Sequence, residues 1–265
     1  MDRVTLDRLR WGALAWLLTL QFFVVETVVQ LRGEGHSRID DVISDLGATT
    51  WPGHQVMNAS FVVQAGLILA GAVLLLPPLR SGASRVATYL FGIAALGVLL
   101  VGVLPSDRSD TWHAVGATLY LVGGALGLIA LAYALRPRSE LLGSTLVVLG
   151  LVGAAATTFF VTGVDLLAEG ATERAAAYVL PMGLAVAGAA LWRLGGRGPD
   201  AAPDRPSLRE ERARARAVAD ERARERDAAL EAAARRAEDG TPAAGGTDAA
   251  DDFDADDPWA TRRRD

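Results

Sequence analysis

The segment His54–Leu104, HQVMNASFVVQAGLILAGAVLLLPPLRSGASRVATYLFGIAALGVLLVGVL, decides the fold. Two apolar runs, His54–Leu76 and Ser84–Leu104, flank a break in which Pro77-Pro78 ends one helix and Arg80 brings charge, with Arg85 at the start of the second run. Each run suffices to cross a hydrocarbon core, which takes roughly 20 helical residues at about 1.5 Å of rise. Proline closes the first run because it cannot continue a helix, as expected where the chain leaves the bilayer. Extending the reading outward gives four more spans, Trp11–Leu31, Trp112–Leu135, Leu141–Gly163 and Arg174–Leu194, with further breaks at Pro52-Gly53, Pro105 and Pro137. The chain of 265 residues is 51% hydrophobic, and those residues are bunched, which favours membrane spans over a soluble fold.

The expected fold class is therefore all-α: a polytopic membrane protein with a six-helix bundle at 1–194. A linker at 195–206, a solvated charged helix at 207–238 and a disordered acidic tail at 239–265 follow. The first span comes after Arg3, Arg8 and Arg10 and resembles a secretory signal, but its apolar stretch is too long and no small-residue cleavage site follows. It reads as an uncleaved helix. Cysteine is absent, which excludes disulfides and thiolate chemistry, and all 26 basic residues are arginine.

Arginine placement gives sidedness, since cytoplasmic loops hold excess positive charge. One face receives Arg3, Arg8, Arg10, Arg80, Arg85, Arg136, Arg138, Arg193 and Arg197; the other receives Arg32, Arg38, Arg108 and Arg174. Both termini are thus expected in the cytoplasm of a cell-membrane protein. Trp11, Trp51, Trp112 and Trp192 fall at span ends, where indole favours the headgroup zone. Small residues at helical spacing, as in Gly123 and Gly127, Gly150 and Ala154, or Gly183 and Ala187, predict close helix approach in a bundle.

The tail has too few apolar residues to build a core. Ser207 to Glu210 has a capping-box pattern, and Glu210 with Arg214, Asp220 with Arg224 and Glu231 with Arg235 are spaced i,i+4 for a single solvated helix. From Gly195 onward 14 arginines face 18 carboxylates, a net charge of −4 with no basic face, which argues against nucleic-acid binding. The acidic end reads first as a solubilising tail, and Phe253 and Trp259 offer the alternative of a short docking peptide for a cytoplasmic protein partner.

Polar residues gather toward the outer side. Glu26 lies roughly 7 to 8 Å below the outer end of its helix at ~1.5 Å per residue. Asn58 is about one turn into the second span, counting ~3.6 residues per turn, and His113 opens the fourth. Ser44, Asp45, Asp107 and Asp110 belong to outer loops or their edges, and Asp165 ends the fifth span. Ionisable groups at membrane depth normally face a bundle interior or wet cavity. Glu26, Ser44, Asp45, Asn58, Asp107 and His113 are therefore candidate ligand-binding residues. Among them Asp45, Asp107 and His113 are also candidate metal ligands, because an Asp can orient the imidazole or share a metal with it. Turn or cap chemistry equally accounts for Ser44-Asp45, and interfacial hydrogen bonding for His113.

VISDLGA after the first span, Pro52, Asn58 and Phe61 opening the second, and VGVLPSDRSDTWHAVGA between the third and fourth resemble the domain of unknown function 998 family over about residues 10 to 195. The resemblance implies six helices and carries the motif positions Ser44, Asp45, Gly47, Pro105, Asp107 and His113. A more distant similarity to DRAM and Sfk-type membrane proteins rests on the Ser-Asp step and the later histidine. The family implies no reaction. Three functions stay open: an outward polar pocket for a lipid headgroup, cation or small ligand; a metal-assisted lipid hydrolase; and a structural or assembly protein. Ceramidase-like hydrolases depend on three histidines, so a zinc site here would lean on carboxylates.

Overall fold

In the computed structural model, residues 3–164, 166–195 and 208–240 are described, and among them all regular structure is helical. The helices are α1 (Arg3–Leu18), α2 (Gln21–Gln30), α3 (His54–Leu75), α4 (Gly82–Val103), α5 (Asp110–Leu135), α6 (Glu140–Thr162), α7 (Glu169–Gly195) and α8 (Leu208–Glu238). Short 3-10 turns lie at Ile43–Gly47 and Pro77–Leu79. The first seven helices supply six segments long and apolar enough to cross a membrane, with α1 and α2 sharing one crossing. The protein is thus a multi-pass membrane protein. An even number of crossings puts the start of α1 and the end of α7 on one face, here the terminal face; the loops after α2, α4 and α6 form the distal face.

Two crossings differ from the sequence reading. The first is interrupted at Thr19-Leu20, where Thr19 Oγ1 donates to the Trp16 carbonyl at 2.6 Å and to the Pro181 carbonyl at 3.3 Å. The hydroxyl supplies a donor where the helical ladder lapses, which makes a break tolerable in lipid. Gln21 then reaches α3, giving its Nε2–H to Gln64 Oε1 at 3.2 Å and accepting from Ser60 Oγ at 3.0 Å. The last crossing begins at Glu169 rather than Arg174. Its first-turn amides, which have no helical acceptor of their own, are capped by loop carbonyls: Gly170 N–H on Asp40 at 3.2 Å and Ala171 N–H on Ile39 at 2.8 Å. Arg174 therefore sits inside a helix and is buried, so it is not one of the outer-loop charges.

Neighbouring helices run α1, α3, α4, α5, α6, α7 and back to α1, with α5 also touching α7. Without a hydrophobic drive between helices in lipid, close backbone approach takes its place. A Cβ on Gly97 would lie 2.4 Å from the Tyr120 nitrogen, so α4 and α5 meet backbone to backbone. Gly127 admits the Phe91 ring, Gly150 the Ala125 carbonyl, and Gly183 the Leu128 side chain. The small-residue pairs thus serve contacts inside the bundle. Residues 1–204 and 205–265 form separate units. In the second, the described side chains of α8 are exposed and Glu231 pairs with Arg235 at 3.9 Å. The expected cap at Ser207, most of the linker, Asp165, and the tail with Phe253 and Trp259 lie outside the described residues.

Candidate functional site

The loop after α2 is stitched onto α7. Arg174 donates through Nη1 to the carbonyls of Arg38 at 2.8 Å, Asp41 at 2.7 Å and Gly170 at 3.1 Å. Glu173 accepts from the Ile43 amide through a short hydrogen bond. Within the loop, Asp41 Oδ2 accepts from the Ser37 amide at 2.7 Å, and Trp51 Nε1 donates to the Val29 carbonyl at 3.1 Å. Gly53, at φ 86°, makes the left-handed turn into α3 that a side chain would resist. These bonds set the 3-10 turn Ile43–Gly47 over the bundle, with Ile43 and Leu46 buried as its apolar feet.

Glu26 is fully buried and compensated from two other segments. Arg174 Nε donates to its Oε1 at 2.9 Å, Tyr178 Oη to its Oε2 at 2.6 Å, and Arg38 Nη2 approaches Oε1 at 3.4 Å. A desolvated carboxylate needs such partners, and charge-assisted hydrogen bonds of this kind are the strong ones. Arg38, half-exposed, carries the network to the surface through Gln30 Oε1 at 3.1 Å.

One helical step from that cluster, Glu173 turns to a cavity of about 40 Å³ beneath the distal loops. Phe22, Phe61, Val98, Val101 and Leu121 form apolar walls; Ser44, His113, Tyr120 and Glu173 supply the polar groups. The space suffices for a few waters or a small headgroup fragment. His113 Nδ1 lies 2.9 Å from the Leu104 carbonyl, which can only accept, so Nδ1 carries the proton. Its Nε2 has no protein partner among the described residues, and in the neutral ring it offers a lone pair to whatever enters.

Tyr120 has a backbone task as well. Pro181 lacks the N–H that would bond the Ala177 carbonyl four residues earlier. Tyr120 Oη takes that place and donates to Ala177 O at 3.0 Å. Tyr120→Phe should lower stability by roughly 1 kcal/mol. The loss should shrink when Pro181→Ala restores the amide donor; a double-mutant cycle of melting midpoints in detergent checks it, and full additivity would refute the assignment.

The other expected residues do not line the cavity. Asn58 Nδ2 donates to the Gly47 carbonyl at 2.9 Å and braces the 3-10 turn. Asp107 accepts at Oδ2 from the Thr49 amide at 2.9 Å and from the Thr49 hydroxyl, clipping two distal loops together. Asp45 is exposed at the rim; burial pushes its carboxyl above the usual range, opposed by the nearby His36. No three His, Asp or Glu side chains among the described residues lie close enough to hold a metal ion. Asp45, Asp107 and His113 do not form such a group, because Asp107 is held away by Thr49.

The Thr49 hydroxyl bond holds the Asp107 carboxyl below its ordinary 3.8. A depressed value stabilises the fold fully above the unfolded pKa, and the contribution is lost as pH falls through the folded one. Asp107→Asn should therefore melt below the wild type at pH 6, with the gap closing below about pH 3 to 4. A gap that persists in acid would show that the carboxylate charge is not what clips the loops.

Sequence reasoning missed Glu173, Tyr120, Arg174, Tyr178 and the bridging role of Arg38. Two signals were available: a Glu173-Arg174 pair running straight into an apolar stretch, and Pro181, whose spacing to Ala177 demands an outside donor. A family model described as a protein of unknown function (DUF998) matches residues 17–197. The chain belongs to the DUF998 family. The match covers five crossings and the first from Leu17 onward, leaving nearly all of α1 outside it, and its range includes both distal motifs with Ser44, Asp45, Asp107 and His113. It stops before α8, so the charged helix is an addition to the DUF998 domain. No curated protein and no solved structure matches the chain, so the expected similarity to DRAM and Sfk-type proteins is not shown.

Proposed function

We propose that this DUF998 protein is a cell-membrane protein, both termini cytoplasmic, that binds the polar end of a lipid or small amphiphile in the cavity beneath its distal loops. The observation that carries this is the lining. Ligand sites are mostly apolar with a few converging polar groups, and here Ser44, His113 and Glu173 converge among Phe22, Phe61 and Val98. Glu26 and Arg174, which already compensate each other, act as the frame holding Glu173 and the loop. Glu173 accepts from a hydroxyl or ammonium, and His113 Nε2 offers a second acceptor. Exposed Arg80, Arg85, Arg136 and Arg138 on the terminal face support cytoplasmic termini under the positive-inside rule.

The test is mass spectrometry of lipids retained by protein purified in mild detergent, for the wild type, Glu173→Gln, His113→Ala and a cavity-filling Val98→Phe. A defined species should accompany the wild type and fall about tenfold in Glu173→Gln, since a hydrogen bond to a charged group is worth roughly 1.5–3 kcal/mol. Retention of the same species by all three variants would overturn the reading. Stoichiometric zinc, lost in both His113→Ala and Asp107→Ala, would replace it with the metal-assisted hydrolase.

A further inference from the structure

The turn between α3 and α4 closes on a left-handed residue that is not glycine. Arg80, closing the 3-10 turn Pro77–Leu79, sits at φ 48°, and it is the one non-glycine residue with positive φ among the described residues. Glycine is the residue that occupies this conformation without strain. An arginine held there calls for a reason in its side chain, since backbone outliers gather at functional positions.

That side chain lines a groove of about 610 Å³ on the terminal face with Arg85, Leu76, Pro77, Thr88 and Tyr89. Neither guanidinium makes an ion pair or side-chain hydrogen bond among the described residues, and no carboxylate lines the groove. Ser81 and Ser84 satisfy each other in a capping box and Thr88 donates to the Ser84 carbonyl, which leaves the two arginines as the free charged groups. Tyr89 is 75% exposed, and Val73 and Val86 on the same two helices are also exposed, so the groove continues onto surface that meets acyl chains. Positive charge at the headgroup level with an apolar wall running into the bilayer complements an anionic amphiphile, and basic pockets between membrane helices bind such headgroups.

We propose that this groove seats the phosphate of an anionic phospholipid from the surrounding leaflet, gripped by Arg80 and Arg85. The site is separate from the distal cavity and does not rest on the function proposed for it. Guanidinium suits the task because its planar fork matches phosphate oxygens two at a time.

The experiment titrates phosphatidylglycerol into the full chain in detergent, read by native mass spectrometry, with phosphatidylcholine as the neutral comparison. Arg80→Gly with Arg85→Gln should weaken phosphatidylglycerol binding about tenfold or more. Arg136→Gln with Arg138→Gln removes equal charge from the same face and should leave binding unchanged. Because Arg80→Gly relieves the backbone, its melting point should match or exceed the wild type, which separates lost binding from lost fold; Arg85→Gln alone gives a second, smaller decrease. Equal losses in the two double variants would mean a diffuse surface field and overturn the site. So would undiminished binding in Arg80→Gly/Arg85→Gln, or displacement of the lipid by soluble glycerol phosphate at matching concentration, which would make the groove a free-anion site.

Discussion

Replacing Arg174 with methionine should destabilise the bundle by about 3–5 kcal/mol, the range for stranding one member of a buried ion pair. Glu26 is sealed from solvent, and Arg174 Nε is its closest cationic partner at 2.9 Å. Arg38 remains at 3.4 Å, but it is half-exposed and does not replace the lost contact. The same guanidinium holds the carbonyls of Arg38 and Asp41, so the loop after α2 should become sensitive to protease on the distal face. Glu26→Leu in the Arg174→Met background should recover much of the loss, because removing both charges removes the desolvation penalty that one alone incurs. Unfolding titrations in mixed micelles measure the cycle. Wild-type stability in Arg174→Met would mean that Glu26 is neutralised by some other route.

The second large effect is expected from a single methyl group. A Cβ on Gly170 would come within 2.2 Å of the Asp41 carbonyl oxygen, and the obstruction is backbone, which cannot rotate aside. Gly170→Ala should therefore lift the loop from the start of α7 at a cost of roughly 1–3 kcal/mol, the usual range for overpacking. It should also open the amide caps from Asp40 and Ile39 and draw Ile43 away from Glu173, dismantling one wall of the cavity. Gly66→Ala is the matched control, since nothing lies within 4 Å of its Cβ. In a helix interior that change should be neutral or stabilise by up to about 1 kcal/mol. Loss of retained lipid in Gly170→Ala but not Gly66→Ala ties the loop seam to binding; equal behaviour of the two would remove the seam from the argument.

Both predictions turn on contacts that no sequence window contains. The six crossings were legible because span length and apolar run length are local quantities set by bilayer thickness, and the breaks at Pro52, Pro77 and Pro105 follow from the missing amide. Of the six candidate residues read from depth on the distal face, Ser44 and His113 line the cavity. Depth does not give azimuth. Asp107 shares that level, yet it points to Thr49, and Asn58 points to Gly47.

The sequence by itself determined an all-α membrane protein with its polar groups biased to one face and a charged helix appended, because hydropathy and charge act on each segment independently. Which side chains meet was decided only by tertiary structure. The Glu26 cluster joins positions 148 and 152 residues apart, and their meeting depends on how α2 and α7 are rotated about their axes and on a loop folded back to cap α7. Helix rotation is fixed by interlocking small and large residues across several interfaces at once, as Gly97 on α5 and Gly71 on Trp16 illustrate. That is a collective property of the packed bundle, and one helix's periodicity, apolar nearly all round in lipid, holds little record of it.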